Sequence, residues 1–355
     1  MNKRRNTQKN RKPLWILLLL CAVLAGCVRQ GTAPVQKNGV AMGSVVSVKL
    51  YNTDAKTADA LCTQVFSELQ RLDAQVLSKN TDTSELWRLN QSENPEIPQE
   101  ISKELYAALQ QTKEIYGLSG GRAALASGAL TELWGMDTEN FRVPSVAAID
   151  AAKRLCADGT VNLDEENRVA FRKGQILNLG SVGKGIGCDR AAEILLQNGL
   201  SETQAGAVIS VGGSLAVLGS PKAGERFTVG IRDPFGAENA YFATLKTGRC
   251  FISTSGSYEK TFTENGKTYH HLLDLTSGYP AETELTAVTV RAETGLLSDA
   301  LSTLCFLIGE TEAIPILERY GADAVFVYAD KTVHATAGLR ADIAVTDNTY
   351  TLEDV

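Results

Sequence analysis

The sequence has few of the residues that carry most metal, redox and nucleic-acid chemistry. Only 3 of its 355 residues are His, and aromatic residues make up 6%. It has no CxxC pair, and after residue 30 no basic run with interleaved aromatics. Beyond residue 26, 29 Lys and Arg stand against 41 Asp and Glu, and this excess of negative charge repels a phosphate backbone. The composition argues against thiol redox chemistry and against nucleic-acid binding as the main task.

The first 26 residues are predicted to be a signal peptide. Six Lys and Arg precede thirteen uncharged residues, 14–26, a stretch too short to span a roughly 30 Å hydrocarbon core comfortably. The stretch ends in Leu24-Ala25-Gly26-Cys27, which resembles the lipobox of bacterial lipoproteins, where the Cys is acylated. The alternative is an uncleaved anchor with an incidental Cys. We expect lipidation at Cys27, a flexible tether over 27–38, and a protein that faces the outside of a bacterial membrane.

Five further cysteines remain after the signal segment and Cys27. They are Cys62, Cys156, Cys188, Cys250 and Cys305. An odd number cannot all pair with one another, and most have apolar neighbours. We predict small buried hydrophobic residues, with a disulfide framework or a zinc site as the alternative.

The rest of the chain is predicted to fold as α+β, in one domain over 39–350. With 44% hydrophobic residues it can bury a sizeable core. Apolar spacing and stop signals predict helices over 54–72, 102–116, 146–156, 187–199, 299–308 and 312–320. Short β-rich segments bounded by Gly, Asp or Pro predict strands over 44–50, 206–211, 215–218, 226–231, 241–245, 250–253, 286–291, 324–328 and 333–335, and 263–267 is predicted to be a hairpin turn. Helices and strands do not alternate strictly, which favours a mixed sheet over a doubly wound one.

A glycine-rich loop precedes the helix predicted at 187. It reads Asn178-Leu179-Gly180-Ser181-Val182-Gly183-Lys184-Gly185-Ile186-Gly187 and lacks the order of a phosphate-binding GxxxxGK[ST] loop. Glycines let main-chain amides approach an anion, and Lys184 supplies a positive charge. A tight turn without a ligand is the equally weighted alternative.

Asp299 and Thr303 form a second constellation. They are four residues apart, so on a helix the carboxylate and the hydroxyl share a face, with Ser298 as the expected N-cap. Such hard oxygen donors suit Mg²⁺, which keeps positions open for phosphate oxygens. Alternatively, Asp299 is a first-turn acid that compensates the helix dipole.

Two of the three histidines, His270 and His271, are adjacent in the sequence. A His pair on a strand is more often packing or surface than catalysis. Alternation predicts that His271 shares a face with Leu273 and that His270 points the other way, so only one of the two can reach a site.

The order of the motifs as a whole resembles the ApbE family, over residues 39 to 345. The motifs that carry the resemblance are Met42-Gly43-Ser44, Leu77-Ser78 with Ser84-Glu85-Leu86-Trp87, Leu133-Trp134-Gly135, the glycine-rich loop, Val211-Gly212-Gly213-Ser214, Thr254-Ser255-Gly256, His271-Leu272-Leu273-Asp274 and Asp299-Ala300-Leu301-Ser302-Thr303. Members are bacterial FAD:protein FMN transferases, often lipoproteins.

The resemblance implies a Mg²⁺-dependent enzyme with FAD as substrate. It would transfer FMN to a Thr hydroxyl of a membrane flavoprotein, such as a subunit of sodium-pumping NADH:quinone reductase or a related electron-transport complex, and release AMP. A FAD pyrophosphatase and a non-catalytic FAD-binding lipoprotein are the alternatives.

The resemblance also implies roles for individual residues. The metal ligands would be the Ser181 carbonyl and the Asp299 and Thr303 side chains, and Asp299 or His271 would be the general base. The residues expected to contact FAD are Met42, Asn80, Arg122, Ala123, Ala124, Asn178, Lys184 and His271.

The sequence departs from the family pattern at three of its positions. Ala124 and Ala126 stand where the family usually has an acid and a Thr, and Asn178 replaces the acid that usually opens the glycine-rich loop. These changes put in question the usual contacts with FAD and the usual choice of acceptor protein. Asp299 and Thr303, the expected side-chain ligands of the metal, are retained.

Overall fold

One nine-stranded sheet organises the structure, a computed structural model that describes residues 33 to 354 apart from 137, 139 and 238. The predicted signal peptide and Cys27 lie outside the described residues. The strands are β1 Val35–Ala41, β2 Ser44–Tyr51, β3 Gln99–Glu100, β4 Asn162–Leu163, β5 Arg168–Ala170, β6 Gly206–Val211, β7 Ser214–Gly219, β8 Phe227–Arg232, β9 Tyr241–Thr247, β10 Cys250–Gly256, β11 Phe262–Glu264, β12 Lys267–Tyr269, β13 Leu273–Asp274, β14 Tyr279–Pro280, β15 Leu285–Ala292, β16 Asp323–Tyr328, β17 Thr332–Ala335, β18 Ile343–Val345 and β19 Thr351–Asp354. The large sheet has the order β1-β2-β6-β7-β10-β15-β16-β17-β19, and every pair is antiparallel except β17 with β19.

The longer helices lie on one side of this sheet, and the four-residue helix Ala337–Arg340 packs in the core on the other side. The helices are α1 Ala55–Arg71, continued by a π-helical segment Leu72–Leu77, then α2 Glu85–Asn90, α3 Lys103–Tyr116, α4 Gly128–Trp134, α5 Val146–Lys153, α6 Gly183–Gln197, α7 Gly295–Ile308, α8 Glu310–Arg319 and α9 Ala337–Arg340. Among the described residues, no helix is long and apolar enough to cross a membrane. The α+β class and the largely antiparallel sheet with packed helices are confirmed.

Successive side chains along the strands of the large sheet point to opposite faces, and each face packs in a hydrophobic core. In β16, Ala324 and Phe326 pack with α7 and α8, whereas Val325 and Val327 face the small β8, β9 and β18 sheet. Because both faces of the central strands are covered, few of their residues are exposed, and their sequences are largely apolar.

Most predicted elements are present, with shifted ends. The hairpin turn forms at Asn265 and Gly266, whose φ angles of 51° and 76° fit a two-residue turn with positive φ at both positions. The five cysteines are buried, as predicted. Residues 35 to 38, which we expected in the tether, instead belong to β1 and pair with β2.

The two helices that carry the predicted site start earlier than expected. Helix α6 begins at Gly183, within the glycine-rich loop, and α7 begins at Gly295. The prediction of Ser298 as the N-cap is wrong, because the Thr294 side chain accepts from the Leu297 amide and so caps α7. Ser298 lies inside the helix, where its hydroxyl donates to the Gly295 carbonyl.

Helices α6 and α7 cross where Gly185 meets Gly295. A Cβ atom added to Gly185 would lie 2.1 Å from the Gly295 carbonyl oxygen, and one added to Gly295 would lie equally close to the Gly185 oxygen. Only glycine permits this approach of the two backbones.

We expect Gly185→Ala to lower the free energy of unfolding by about 1–3 kcal/mol in urea titrations, because the clash with α7 outweighs the gain in helix propensity. Gly248→Ala is the matched control, since nothing lies within 4 Å of its added Cβ. Equal stability of the two variants would show that α6 and α7 tolerate a wider separation.

Candidate active site

A cavity opens beside the crossing of α6 and α7. Its volume is about 170 Å³. The predicted site residues that line it are Ala123, Ala124, Asn178, Ser181, Lys184, His271, Asp299 and Thr303. Segments more than 170 residues apart in the sequence therefore meet at one place.

Asp299 lies in the buried wall of the cavity. One carboxylate oxygen accepts a hydrogen bond from the Gly185 amide at 2.8 Å, and the other accepts one from the Ser214 hydroxyl at 3.2 Å. Burial raises the pKa of Asp299, and the nearby Lys184 ammonium opposes that rise. Each oxygen keeps a lone pair, so the carboxylate can also bind a cation.

Thr303 lies one turn further along α7, as the spacing predicts. Its hydroxyl is within 3.2 Å of the Ser255 hydroxyl on β10, and both residues line the cavity. Ser181, at the start of the glycine-rich turn, accepts a hydrogen bond from the Tyr116 hydroxyl at 2.7 Å. Oxygen atoms of a carboxylate, two hydroxyls and the Ser181 turn thus face one cavity, a donor set that suits Mg²⁺.

The described residues contain no group of three or more His, Cys, Asp and Glu that could hold a metal ion. Sites for zinc and other transition metals are commonly built from such groups. A Mg²⁺ site needs only one or two carboxylates, with water and substrate phosphates as the other ligands. Of these two kinds of metal site, the donor set fits the magnesium kind.

The two adjacent histidines point in different directions, as predicted. His271 lines the cavity, and its Nδ1 lies 3.0 Å from the Glu259 carbonyl oxygen. His270 instead contacts the Ala281 carbonyl through Nε2 and packs against the edge of Phe306. A carbonyl oxygen can only accept, so Nδ1 of His271 carries the proton and Nε2 is left with a lone pair.

Three residues expected to contact FAD do not line the cavity. The Met42 side chain packs against α6 near Gly187, and exposed Asn80 accepts a hydrogen bond from the Lys79 ammonium. The Arg122 guanidinium donates to Asp274 and to the Leu307 carbonyl. Their contribution to FAD binding stays a prediction.

Several lining residues were not assigned a role from the sequence. Tyr116, Ser255, Glu259 and Lys260 all face the cavity. Ser255 belongs to the Thr254-Ser255-Gly256 motif, so its position in the motif order was a usable signal. Tyr116 ends α3, and nothing in its local sequence distinguishes it from a core residue.

The sequence model of the ApbE family matches residues 42–326. The chain is 30% identical to the FAD:protein FMN transferase of Treponema pallidum, across 95% of this chain and 96% of that protein. It is 31% identical to the FAD:protein FMN transferase of Salmonella typhimurium, across 81% and 82% of the two chains.

Solved structures show the same fold. The ApbE protein of Thermotoga maritima superposes with a TM-score of 0.78 at 26% identity, covering 86% of this chain and 98% of that one. The flavinyl transferase ApbE of Pseudomonas stutzeri superposes with a TM-score of 0.72 at 26% identity, covering 85% and 93%.

We expect the imidazole of His271 to stay neutral down to about pH 5. Burial lowers its pKa to about 4, and the Lys260 ammonium adds to the shift. NMR titration of ¹⁵N-labelled histidines should give this midpoint, with His271→Gln used to assign the signal. Because the unfolded chain binds this proton more tightly, His271 also makes the fold less stable as pH falls from 6.5 towards 4. A midpoint near 6.5 would show a solvated ring and contradict the buried geometry.

Proposed function

The chain belongs to the ApbE family, and we propose that it transfers FMN from FAD to a threonine hydroxyl of a target flavoprotein in a Mg²⁺-dependent reaction that releases AMP. The observation that carries this proposal is the meeting of Asp299, Thr303, the glycine-rich loop and His271 in one cavity. Relatives that match 95% and 81% of the chain bear the name FAD:protein FMN transferase, which supports the same reaction.

Asp299, Thr303 and the Ser181 carbonyl would hold the Mg²⁺ ion. When bound there, the ion would neutralise charge on the phosphoryl oxygens and on the leaving AMP. Burial already disfavours the lone Asp299 carboxylate, so a cation at this position would relieve the cost of that burial. Ser255 lies beside Thr303 and orients its hydroxyl.

Lys184 and Lys260 are the ammonium groups in the cavity wall, which also carries the carboxylates of Glu259 and Asp299. Both ammonium groups lower the pKa of His271 by their charge. The proposed substrate carries its two phosphates between the flavin and adenosine parts. The two ammonium groups would bind these phosphates, with Lys184 in the glycine-rich turn as the closer neighbour of Asp299.

His271 is the better of the two general-base candidates. Its Nε2 has a free lone pair at neutral pH, whereas both oxygens of Asp299 already accept hydrogen bonds and would face the cation. In the proposed step the threonine oxygen forms a bond to the FMN phosphorus and passes its proton to Nε2. The bond from that phosphorus to the bridging oxygen breaks, and AMP leaves with that oxygen.

A second candidate function is that of a lipoprotein that binds FAD without transferring FMN, and the composition of the cavity wall favours it. Ala124 and Asn178 place no carboxylate on that side of the cavity. FAD hydrolysis to FMN and AMP would use the same groups with water as the acceptor.

Our first proposal includes a lipid anchor at Cys27. It also includes an outward-facing membrane flavoprotein as the acceptor, such as a subunit of sodium-pumping NADH:quinone reductase or of a related electron-transport complex.

Mass spectrometry distinguishes these functions. A fragment that starts after Cys27 is incubated with FAD, Mg²⁺ and a flavoprotein acceptor, with EDTA in the control. An FMN-sized mass increase on an acceptor threonine, with AMP released and both lost in EDTA, is the expected result. AMP without a modified acceptor would indicate hydrolysis, and bound FAD with neither product would support the holding protein.

We expect Asp299→Asn to lower kcat for FMN transfer by at least about 100-fold, because it removes the charge while keeping the size of the side chain. Thermal unfolding checks that the variant folds. Asp330→Asn, on an exposed turn, is the matched control and should keep full activity. Full activity of Asp299→Asn would rule out Asp299 as a metal ligand.

We expect Lys184→Ala to weaken FAD binding about tenfold, equivalent to about 1.4 kcal/mol, because one phosphate partner is lost. Flavin fluorescence titration measures the Kd. Lys222→Ala removes an exposed ammonium elsewhere and should leave it unchanged. An unchanged Kd for Lys184→Ala would remove Lys184 from the binding site.

A further inference from the structure

Asp189 lies on α6 and has no part in the reaction proposed above. Its two carboxylate oxygens accept hydrogen bonds from the Gly295 amide at 2.6 Å and from the Leu296 amide at 2.9 Å, at the start of α7. Burial raises the pKa of Asp189 to about 6, and these two hydrogen bonds oppose the rise. At neutral pH a half-buried carboxylate therefore joins the two helices that form the site.

Asp189 accepts hydrogen bonds from two of the first four amides of α7. Gly295 and Leu296 donate to Asp189, whereas Leu297 donates to the Thr294 hydroxyl and Ser298 to the Thr294 carbonyl. Amides at a helix start have no partner within the helix, so each needs one from outside. Thr294 is a local cap, and Asp189 is the partner that comes from another helix.

The contact between Asp189 and α7 has a counterpart in the active site. Helix α6 carries glycine and aspartate four residues apart, Gly185 and Asp189, and α7 carries Gly295 and Asp299 with the same spacing. Asp189 accepts from the Gly295 amide, and Asp299 accepts from the Gly185 amide. The two helices therefore exchange equivalent hydrogen bonds around their glycine contact.

We propose that Asp189 is a positioning residue for Asp299, in an inference that rests on the proposed function. Asp189 fixes the first turn of α7 against α6, and the same turn leads directly to Asp299 and Thr303. Without that carboxylate, two amides of α7 lose their partners, and one of the two hydrogen bonds that α6 and α7 exchange around the glycine contact is lost. The Asp299 carboxylate would then be held less firmly beside Lys184.

We expect Asp189→Ala to lower kcat for FMN transfer by about 10- to 100-fold and to raise the Mg²⁺ concentration needed for half-maximal rate, as loss of a partner that orients a ligand does. The Kd for FAD should stay nearly constant, because Lys184 and Lys260 remain. Asp189→Asn keeps one acceptor oxygen and should recover part of kcat.

Thr294→Ala is the matched control, because it removes a cap from the same end of α7 without touching α6. It should lower Tm by a few degrees and leave kcat unchanged. The Gly185 amide signal in ¹H–¹⁵N NMR spectra, without metal or FAD, reports the Gly185 to Asp299 hydrogen bond directly. It should move in Asp189→Ala and stay in place in Thr294→Ala.

Equal effects of Asp189→Ala and Thr294→Ala on kcat and on the Gly185 signal would overturn the proposal and leave Asp189 as an ordinary cap. Wild-type protein that transfers no FMN would refute the proposed function instead. In that case the Gly185 signal alone still decides whether Asp189 positions Asp299.

Discussion

The site depends on the close crossing of α6 and α7 at Gly185 and Gly295. The backbones approach so closely that a methyl group on either glycine would meet a carbonyl oxygen at 2.1 Å. This approach puts the Gly185 amide within 2.8 Å of the Asp299 carboxylate and the start of α6 beside the second turn of α7. Lys184 and Asp299, 115 positions apart in the chain, share the cavity wall because two residues at the crossing have no side chain.

The crossing also explains how a buried carboxylate is tolerated. Asp299 receives one main-chain amide and one hydroxyl hydrogen bond, and the Lys184 charge favours its ionised form. These contacts do not use all of its lone pairs, so burial is only partly compensated. A buried carboxylate with unused lone pairs beside hydroxyl oxygens is the arrangement that a small hard cation completes. In the proposed function that cation is Mg²⁺.

Local sequence predicted the parts of the site that lie on single helices. The spacing of Asp299 and Thr303 gave their shared face, and the glycine-rich loop gave the turn that carries Ser181 and Lys184. The prediction of Ser298 as the N-cap of α7 is wrong because Thr294 caps the helix, and the partner of the first two amides, Asp189, lies on another helix where local sequence does not indicate it. Tyr116, which hydrogen-bonds Ser181 from 65 positions away, depends on packing between separate elements and leaves no local signal. The order of the motifs indicated that segments distant in the sequence belong to one site, which periodicity within a single segment could not indicate.

The departures from the family pattern fit the local structure. Ala126 is fully buried in the core, so the change there does not reach the cavity, whereas Ala124 does line it. The Asn178 carbonyl oxygen accepts from the Gly180 amide, and its amide nitrogen lies 3.3 Å from the Thr131 hydroxyl oxygen. Thr131 uses its own proton on the Gly128 carbonyl, so its oxygen can only accept here, and an ionised aspartate at 178 would have no donor to offer. Asparagine is therefore matched to its neighbours, and position 178 adds no negative charge to the cavity wall where we propose that Lys184 binds phosphate.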